Sequence, residues 1–382
     1  MSNVHRRCLV RLGALFGCAA VLGGCGRTAP QGEVTVYVAV PLSGFQANGG
    51  QTVLGGARLR AEQLNAQGGL LGRRIQVVGL DDEADSDVAV EVAQSVAAEL
   101  ATGKEVLGLI GHYNSGQTLA AMELYKDLDL VVITPTASNV ELTRRGYRNF
   151  FRVNATDATQ GRVDAEFLVH ILGAKRIAVV HLDDDYGNGL RDVLVDNLQR
   201  LGAKVVADIV IEEAAERHDA AVARLQEIEP DAVFLAAYET EGYVLLPQVR
   251  EAGLDMPFMA GDACFLSALI DESEGAAEGA YVSGFTPSPA KVVDEKWVRQ
   301  YQAVEQRNPD TYSIVGYMAM DVLVRAAQEA RSFEAARLIE AVRRLDYRGL
   351  AGHISYDGNG DLREQKVYIF QVREGQFQQV AP

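Results

Sequence analysis

The sequence predicts an α/β protein made of two doubly wound, mainly parallel lobes. Short apolar strands alternate with amphipathic helices from residue 33 onward, and the alternation runs in two series separated near residue 156. A chain of 382 residues, 48% of them apolar and 7% aromatic, is also long enough to bury two cores of ordinary domain size.

In the first series a strand is expected at 34–40. A helix follows in which Val53, Leu54, Ala57, Ala61 and Leu64 share one face, and Gly68-Gly69 ends it. A strand at 75–80 comes next, then a helix striped by Val88, Val92, Val96 and Leu100, a strand at 106–110, a helix from about 117 to 126, and a strand at 131–134. Strand–helix–strand order of this kind requires parallel pairing, with helices covering both faces of the sheet. The second series has strands at 176–181, 204–211, 232–237 and 258–260. After Tyr281 the rhythm breaks into a proline-containing stretch at 286–289 and helices at 294–308 and 316–330, which periodicity assigns to neither lobe.

The first 24 residues carry Arg6, Arg7 and Arg11, no acidic side chain, and an apolar run at 12–24, which reads as a signal peptide. Leu22-Gly23-Gly24-Cys25 resembles a lipobox, so Cys25 is the expected lipidation site and the protein is expected on the extracytoplasmic side of the cell envelope. The alternative is an ordinary secretory signal in which Cys25 is incidental. Residues 25–32, rich in Gly, Pro, Thr and Gln, read as a tether. Loss of the three leader arginines takes the net charge from −16 to −19, which disfavours nucleic acid as a partner. With Cys8 and Cys18 removed and Cys25 acylated, Cys264 is left as the lone thiol, so no intrachain disulfide or cysteine metal framework is expected.

Open α/β sheets bind ligands beyond the carboxyl ends of their strands, and three such loops are chemically suggestive. Ser115 opens the helix after strand 106–110, where free backbone N–H groups suit a carboxylate; the alternative is a plain helix cap. Residues 134–143 run from a strand into another helix start, with Ser138 and Glu141 spaced as a capping box. Asp183-Asp184-Asp185-Tyr186-Gly187-Asn188-Gly189 lacks the oxygen spacing of an EF-hand and reads as a solvated turn, and Asp357-Gly358-Asn359-Gly360-Asp361 reads as a hairpin turn. No metal site or cofactor is expected.

Pro41-Leu42-Ser43-Gly44, Asn65-Ala66-Gln67-Gly68-Gly69, Gly111-His112 through Ser115, Pro135 through Ser138, Asp185-Tyr186-Gly187-Asn188-Gly189, Phe258-Met259-Ala260-Gly261-Asp262 and Ser355 through Asp361 occur in this order along almost the whole mature chain. Together they resemble the leucine/isoleucine/valine-binding protein family, the type I periplasmic binding proteins of branched-chain amino-acid ABC importers. The resemblance implies two lobes joined by three crossovers, with 33–156 plus 281–346 as the first lobe and 157–280 plus 347–382 as the second. It implies that an amino acid is held between them by Ser115, Thr136, Ser138 and Asp262, with Ala137 also at the ligand: the carboxylate through a serine hydroxyl and nearby N–H groups, the ammonium through a hydroxyl, a backbone carbonyl and one acidic side chain, with Tyr186 and Tyr238 as aromatic walls. It also implies a monomer that delivers its ligand to ABC permease subunits.

Three departures from that pattern stand out, and the first two bear on the ligand. Asp262 stands where branched-chain binders carry the longer Glu, Gly49 stands where an aromatic often covers the ligand side chain, and Ala84 and Asn114 replace a disulfide. The lost aromatic implies a larger or differently shaped pocket. Two other functions compete with this reading. A hydrolase using Ser115 with His112 and Asp157 lacks the Gly-x-Ser-x-Gly elbow, and neither HExxH nor a strand-following GxGxxG is present. A sensor of the same fold for amides, urea or other small polar compounds lacks an effector domain. Glu241, on a helix outside the motif positions, is expected to be indifferent to ligand.

Overall fold

A computed structural model describes residues 30–381. The signal peptide, Cys25 and most of the tether lie outside the described residues. Near the start of the described residues the Gln31 N–H donates to the Gly72 carbonyl at 2.7 Å.

The first sheet has five parallel strands in the order β2-β1-β3-β4-β5: β1 (Glu33–Val40), β2 (Arg74–Asp81), β3 (Val106–Gly111), β4 (Val132–Thr134) and β5 (Phe150–Arg152). Helices α1 (Ala47–Asn65), α2 (Ser86–Ala101), α3 (Ser115–Tyr125) and the one-turn α4 (Glu141–Arg144) connect them. Every residue of β3 is buried, the signature of a strand covered on both faces.

The second sheet takes in the next run of strands, β6 (Arg176–Leu182), β7 (Lys204–Ile211), β8 (Ala232–Ala236), β9 (Phe258–Ala260) and β10 (Tyr281–Gly284), which are mutually parallel. Helix α5 (Asp157–Glu166), which continues into a π turn at Phe167–Ile171, leads into β6; between the strands lie α6 (Asp185–Arg200), α7 (Asp219–Ile228), α8 (Glu239–Glu251) and α9 (Ala268–Asp271), with a single 3₁₀ turn at Asp262–Cys264.

The chain then builds α10 (Pro289–Val292), α11 (Glu295–Glu305), α12 (Thr311–Ala330) and α13 (Ala335–Arg344), and a small hairpin of β11 (Asp346–Arg348) and β12 (His353–Ser355). It ends in β13 (Tyr368–Arg373) and β14 (Gln376–Ala381), which add to the second sheet antiparallel, giving the order β14-β13-β10-β9-β8-β6-β7.

The helices that periodicity could not place are fixed by small residues. A Cβ on Gly56 of α1 would stand 1.9 Å from the Ser313 carbonyl oxygen, and one on Gly316 of α12 would stand 2.0 Å from that of Val53. The backbones of α1 and α12 therefore touch, which puts α12 in the first lobe's core with Ile314, Met318, Val322 and Leu323.

Two expected boundaries move. Residues 281–284 form β10, sandwiched between β9 and β13 of the second sheet, so the chain returns to the first lobe after Gly284 and not at Tyr281. Tyr356 and Leu362 belong to the first lobe's core, Tyr356 packing edge-on to Phe151 with ring centres 5.1 Å apart. The stretch 347–362 thus covers the β5 edge, the Arg152 N–H donating to the Gly360 carbonyl at 3.2 Å, and the last crossing follows Leu362. The turn expected at 357–361 is present, closed by the Asp357 N–H on the Asp361 carbonyl at 2.9 Å.

Candidate functional site

The carboxyl ends of β3, β4, β6, β8 and β9 face one another across the gap between the sheets. Between them lies a small, tightly closed cavity. Tyr113, Asn114, Ser115, Thr136, Ala137 and Ser138 line it from the first lobe, and Tyr186, Tyr238, Asp262 and Ala263 from the second, with Tyr312 of α12 completing the wall. All seven residues expected to bind ligand are therefore brought together.

The hydroxyls on the first-lobe side are sorted by what each has already bonded. Ser115 is the first residue of α3, not its cap, which is Asn114. Its oxygen accepts the Asn139 N–H at 3.2 Å, leaving its own hydrogen to donate into the cavity beside the unpaired first-turn N–H groups of α3. Such a cluster of donors suits a carboxylate. Thr136 is the reverse. Its hydroxyl donates to the Tyr113 carbonyl at 2.5 Å, so its free capacity is as an acceptor. Ser138 does not form the expected capping box with Glu141, because the Glu141 N–H bonds to the Asn139 side-chain oxygen at 2.8 Å. The Ser138 hydroxyl is buried with no partner.

The second-lobe side supplies charge and rings. The run at Asp183–Asp185 is the start of α6 and not a free turn: Asp184 caps it on the Gly187 N–H at 2.6 Å and accepts the Tyr238 hydroxyl at 2.7 Å. Tyr186 in the first turn of α6 stacks on Tyr238 with ring centres 5.3 Å apart and donates its hydroxyl to Asp262 Oδ1 at 2.9 Å. Tyr312 reaches across from the first lobe, donating to the Asp262 carbonyl at 2.7 Å and lying 3.4 Å from Oδ2. Asp262 is buried, and desolvation pushes its carboxyl up to about 6 even though Tyr186, Gln160 and Tyr312 hydrogen-bond its charged form.

Other bonds join the two lobes around this cavity. The Asn139 side chain donates to the Asp185 carbonyl at 2.7 Å, Thr240 to the Phe45 carbonyl at 3.3 Å, and Ser267 to Asp310 at 2.6 Å. The lobes are therefore shut on the site.

Gly49 does not enlarge the pocket. A Cβ there would stand 2.3 Å from the Tyr113 hydroxyl oxygen, so the Tyr113 ring fills the space that the missing aromatic vacates. Tyr113, with its ring centre 5.7 Å from that of Tyr312, and Tyr312 itself were missed by sequence reasoning. Tyr113 sits two residues before Ser115 in a motif that had been singled out, and that proximity was the available signal. Glu241 is buried and accepts the N–H groups of Ala214 at 2.8 Å and Tyr238 at 3.2 Å, so it helps to hold the Tyr238 wall of the site.

The hydrolase constellation does not form. His112 is fully buried against Asp82 at 2.6 Å and Tyr125 at 3.2 Å, away from Ser115. Cys264 is a buried free thiol bonded to the Tyr238 carbonyl at 3.3 Å. Among the described residues, no cluster of His, Cys, Asp or Glu could hold a metal ion, and no helix is long and apolar enough to cross a membrane.

The family profile for periplasmic binding proteins matches residues 33–376. The chain belongs to that family. Its members bind ligands and are not enzymes. It is 29% identical over 343 residues to an amino acid binding protein of Pseudomonas aeruginosa, covering 89% of this chain and 90% of the relative. It is 27% identical to a leucine-, isoleucine-, valine-, threonine- and alanine-binding protein of the same organism, covering 94% and 95%. Among solved structures, a leucine binding protein of Thermotoga maritima superposes with a TM-score of 0.82 at 26% identity, covering 91% of this chain and 98% of that one. A benzoate complex of a solute binding protein from R. palustris superposes with the same TM-score at 19% identity, covering 91% and 96%, a likeness in fold alone.

Proposed function

We propose that this protein captures an α-amino acid with a small side chain and delivers it, as a monomer, to the permease of an ABC importer. The observation that carries the reading is the sorting of polar groups across the closed cavity. Donors gather at Ser115 and the α3 N-terminus, while acceptors gather at Thr136 and Asp262, with the unpartnered Ser138 hydroxyl beside them. A zwitterion has a carboxylate for the first set and an ammonium for the second. The amino-acid ligands named for the Pseudomonas relatives support the class. The size follows from the tight closure of the cavity and from the Tyr113 ring, which fills the space over Gly49. Lipidation of Cys25 would hold the protein at the outer face of a membrane, since two or more acyl chains anchor stably.

Calorimetric titration of protein that has been unfolded, stripped of co-purified ligand and refolded tests the reading. Glycine, L-alanine, L-serine, L-valine, L-leucine and L-phenylalanine are compared with acetamide, urea, propionate and benzoate. Tightest binding is expected among the first four. Binding confined to compounds without an α-ammonium overturns the amino-acid reading in favour of amides, urea or organic acids. The anchor is tested separately by fractionation: the wild type is expected with membranes, and full release without detergent rules the anchor out.

A further inference from the structure

Asp157 opens α5 at the first crossing between the lobes, behind Ser138, to whose carbonyl its N–H donates at 2.9 Å. Its side chain is fully buried, and neither carboxylate oxygen has a hydrogen-bond partner. The group placed to donate to it is the Ser138 hydroxyl, equally buried, which is close enough to favour the ionised carboxyl although the two do not meet in a well-aligned hydrogen bond. On the far side lies α6 of the second lobe, where a Cβ on Gly189 would stand 2.9 Å from Asp157 Oδ2. The nearby guanidinium of Arg152 is already engaged, by the carbonyls of Ala137 and Asn139, by Thr143, and by Asp361 at 2.6 Å.

A buried carboxyl with no partner is costly to keep, and in native proteins such a group calls for an explanation. We propose that Asp157 is a positioning residue for the ligand's ammonium: it accepts the Ser138 hydroxyl hydrogen, so that the Ser138 oxygen turns its lone pairs into the cavity. The inference rests on the amino-acid reading above and deepens it.

An ammonium only donates, so every hydroxyl that binds it must accept and must place its own hydrogen elsewhere. Thr136 meets this condition through the Tyr113 carbonyl. Ser138 meets it through Asp157, the carboxylate that backs it. The same carboxylate adds negative charge on the Asp262 side of the cavity; the two acids repel, and a bound ammonium relieves that repulsion. Burial pushes the Asp157 carboxyl up to about 7, with Asp262 contributing to the rise. Because that value lies above the ordinary carboxylate range, the ionised side chain destabilises the ligand-free fold as pH rises through 7.

The test is a double-mutant cycle of Asp157→Ala and Ser138→Ala, with Asp157→Asn as the isosteric control, titrated with L-alanine and with propionate. Asp157→Ala is expected to weaken L-alanine binding by about tenfold or more, but by less than about threefold when Ser138 is already alanine, as expected for coupled partners. Propionate, which has no ammonium, is expected to bind all four proteins of the cycle about equally. The melting temperature of ligand-free Asp157→Asn at pH 8 is expected to equal or exceed that of the wild type. Equal losses in both Ser138 backgrounds, an equal loss for propionate, or a lower melting temperature would each assign Asp157 to the scaffold and overturn the proposal. A wild type that binds no α-amino acid sinks the amino-acid reading and this role together, whereas tight L-alanine binding by Asp157→Ala sinks the role alone.

Discussion

The two halves of the cavity are built differently. The first-lobe half is fixed from within its own lobe: Ser115 on the Asn139 N–H, Thr136 on the Tyr113 carbonyl, and buried Arg152 on the carbonyls of Ala137 and Asn139. The second-lobe half is finished by its neighbour, since Asp262 takes one hydroxyl from Tyr186 of its own lobe and faces another on Tyr312 of the first. On the proposed reading the carboxylate seat is expected to exist whether the lobes are open or shut, whereas the ammonium seat is expected to be complete only on closure. A ligand that touches both halves shifts the population toward the closed form by its differential affinity for it.

The largest effect that sharpens this contrast is expected at Asp262. Removing one partner of a desolvated charge pair costs about 2–5 kcal/mol, so Asp262→Asn should weaken binding of a zwitterionic amino acid by about 30-fold or more. The same carboxyl predicts a pH dependence. Its free-state value is raised to about 6, and an ammonium binds its ionised form, so affinity falls as the pH drops from 7 to 5. Calorimetry across that range should show a weaker dependence in Asp262→Asn, and an identical profile would count against the assignment.

Ser115→Ala strikes the other half. It should cost less, about fivefold to tenfold, because the first-turn N–H groups of α3 survive and a single hydrogen bond to a charged group is worth about 1.5–3 kcal/mol before that compensation. A loss matching that at Asp262 would contradict a carboxylate seat made largely of backbone.

The smallest effect is a change of preference. Tyr113→Leu removes the ring from above Gly49 and should raise affinity for L-leucine relative to L-alanine by about fivefold, since each newly buried methylene contributes about 0.8 kcal/mol. No change in the leucine-to-alanine ratio would show that Tyr113 does not set side-chain size.

The same contrast explains what was legible in the sequence. Both series of strands could be read because fully buried parallel strands such as β3 and β8 are continuous apolar runs bounded by turns. The site residues sit at strand ends in short local motifs, and so could be numbered before their meeting was seen. What could not be read depends on close approach between distant segments. The Gly56 and Gly316 contacts that place α12, and the β10–β13 pairing that moves the crossing beyond Gly284, leave no periodic trace. Gly49 misled for the same reason: the local sequence shows a missing ring, while the ring that replaces it arrives from another loop. The burial of Glu241 was equally illegible, because the two backbone donors that hold it, on Ala214 and Tyr238, are set by the packing of the loops around α8.

The central claim is that the ligand lies across the cavity with its charges divided between the lobes, and a crystal structure of the complex with L-alanine tests it most directly. The account predicts the carboxylate within hydrogen-bond reach, about 2.7–3.2 Å, of the Ser115 hydroxyl and the α3 N-terminal N–H groups, and the ammonium within that reach of Asp262, Thr136 and Ser138. An L-alanine bound with its carboxylate toward Asp262, or held by one lobe alone in a closed protein, would contradict it.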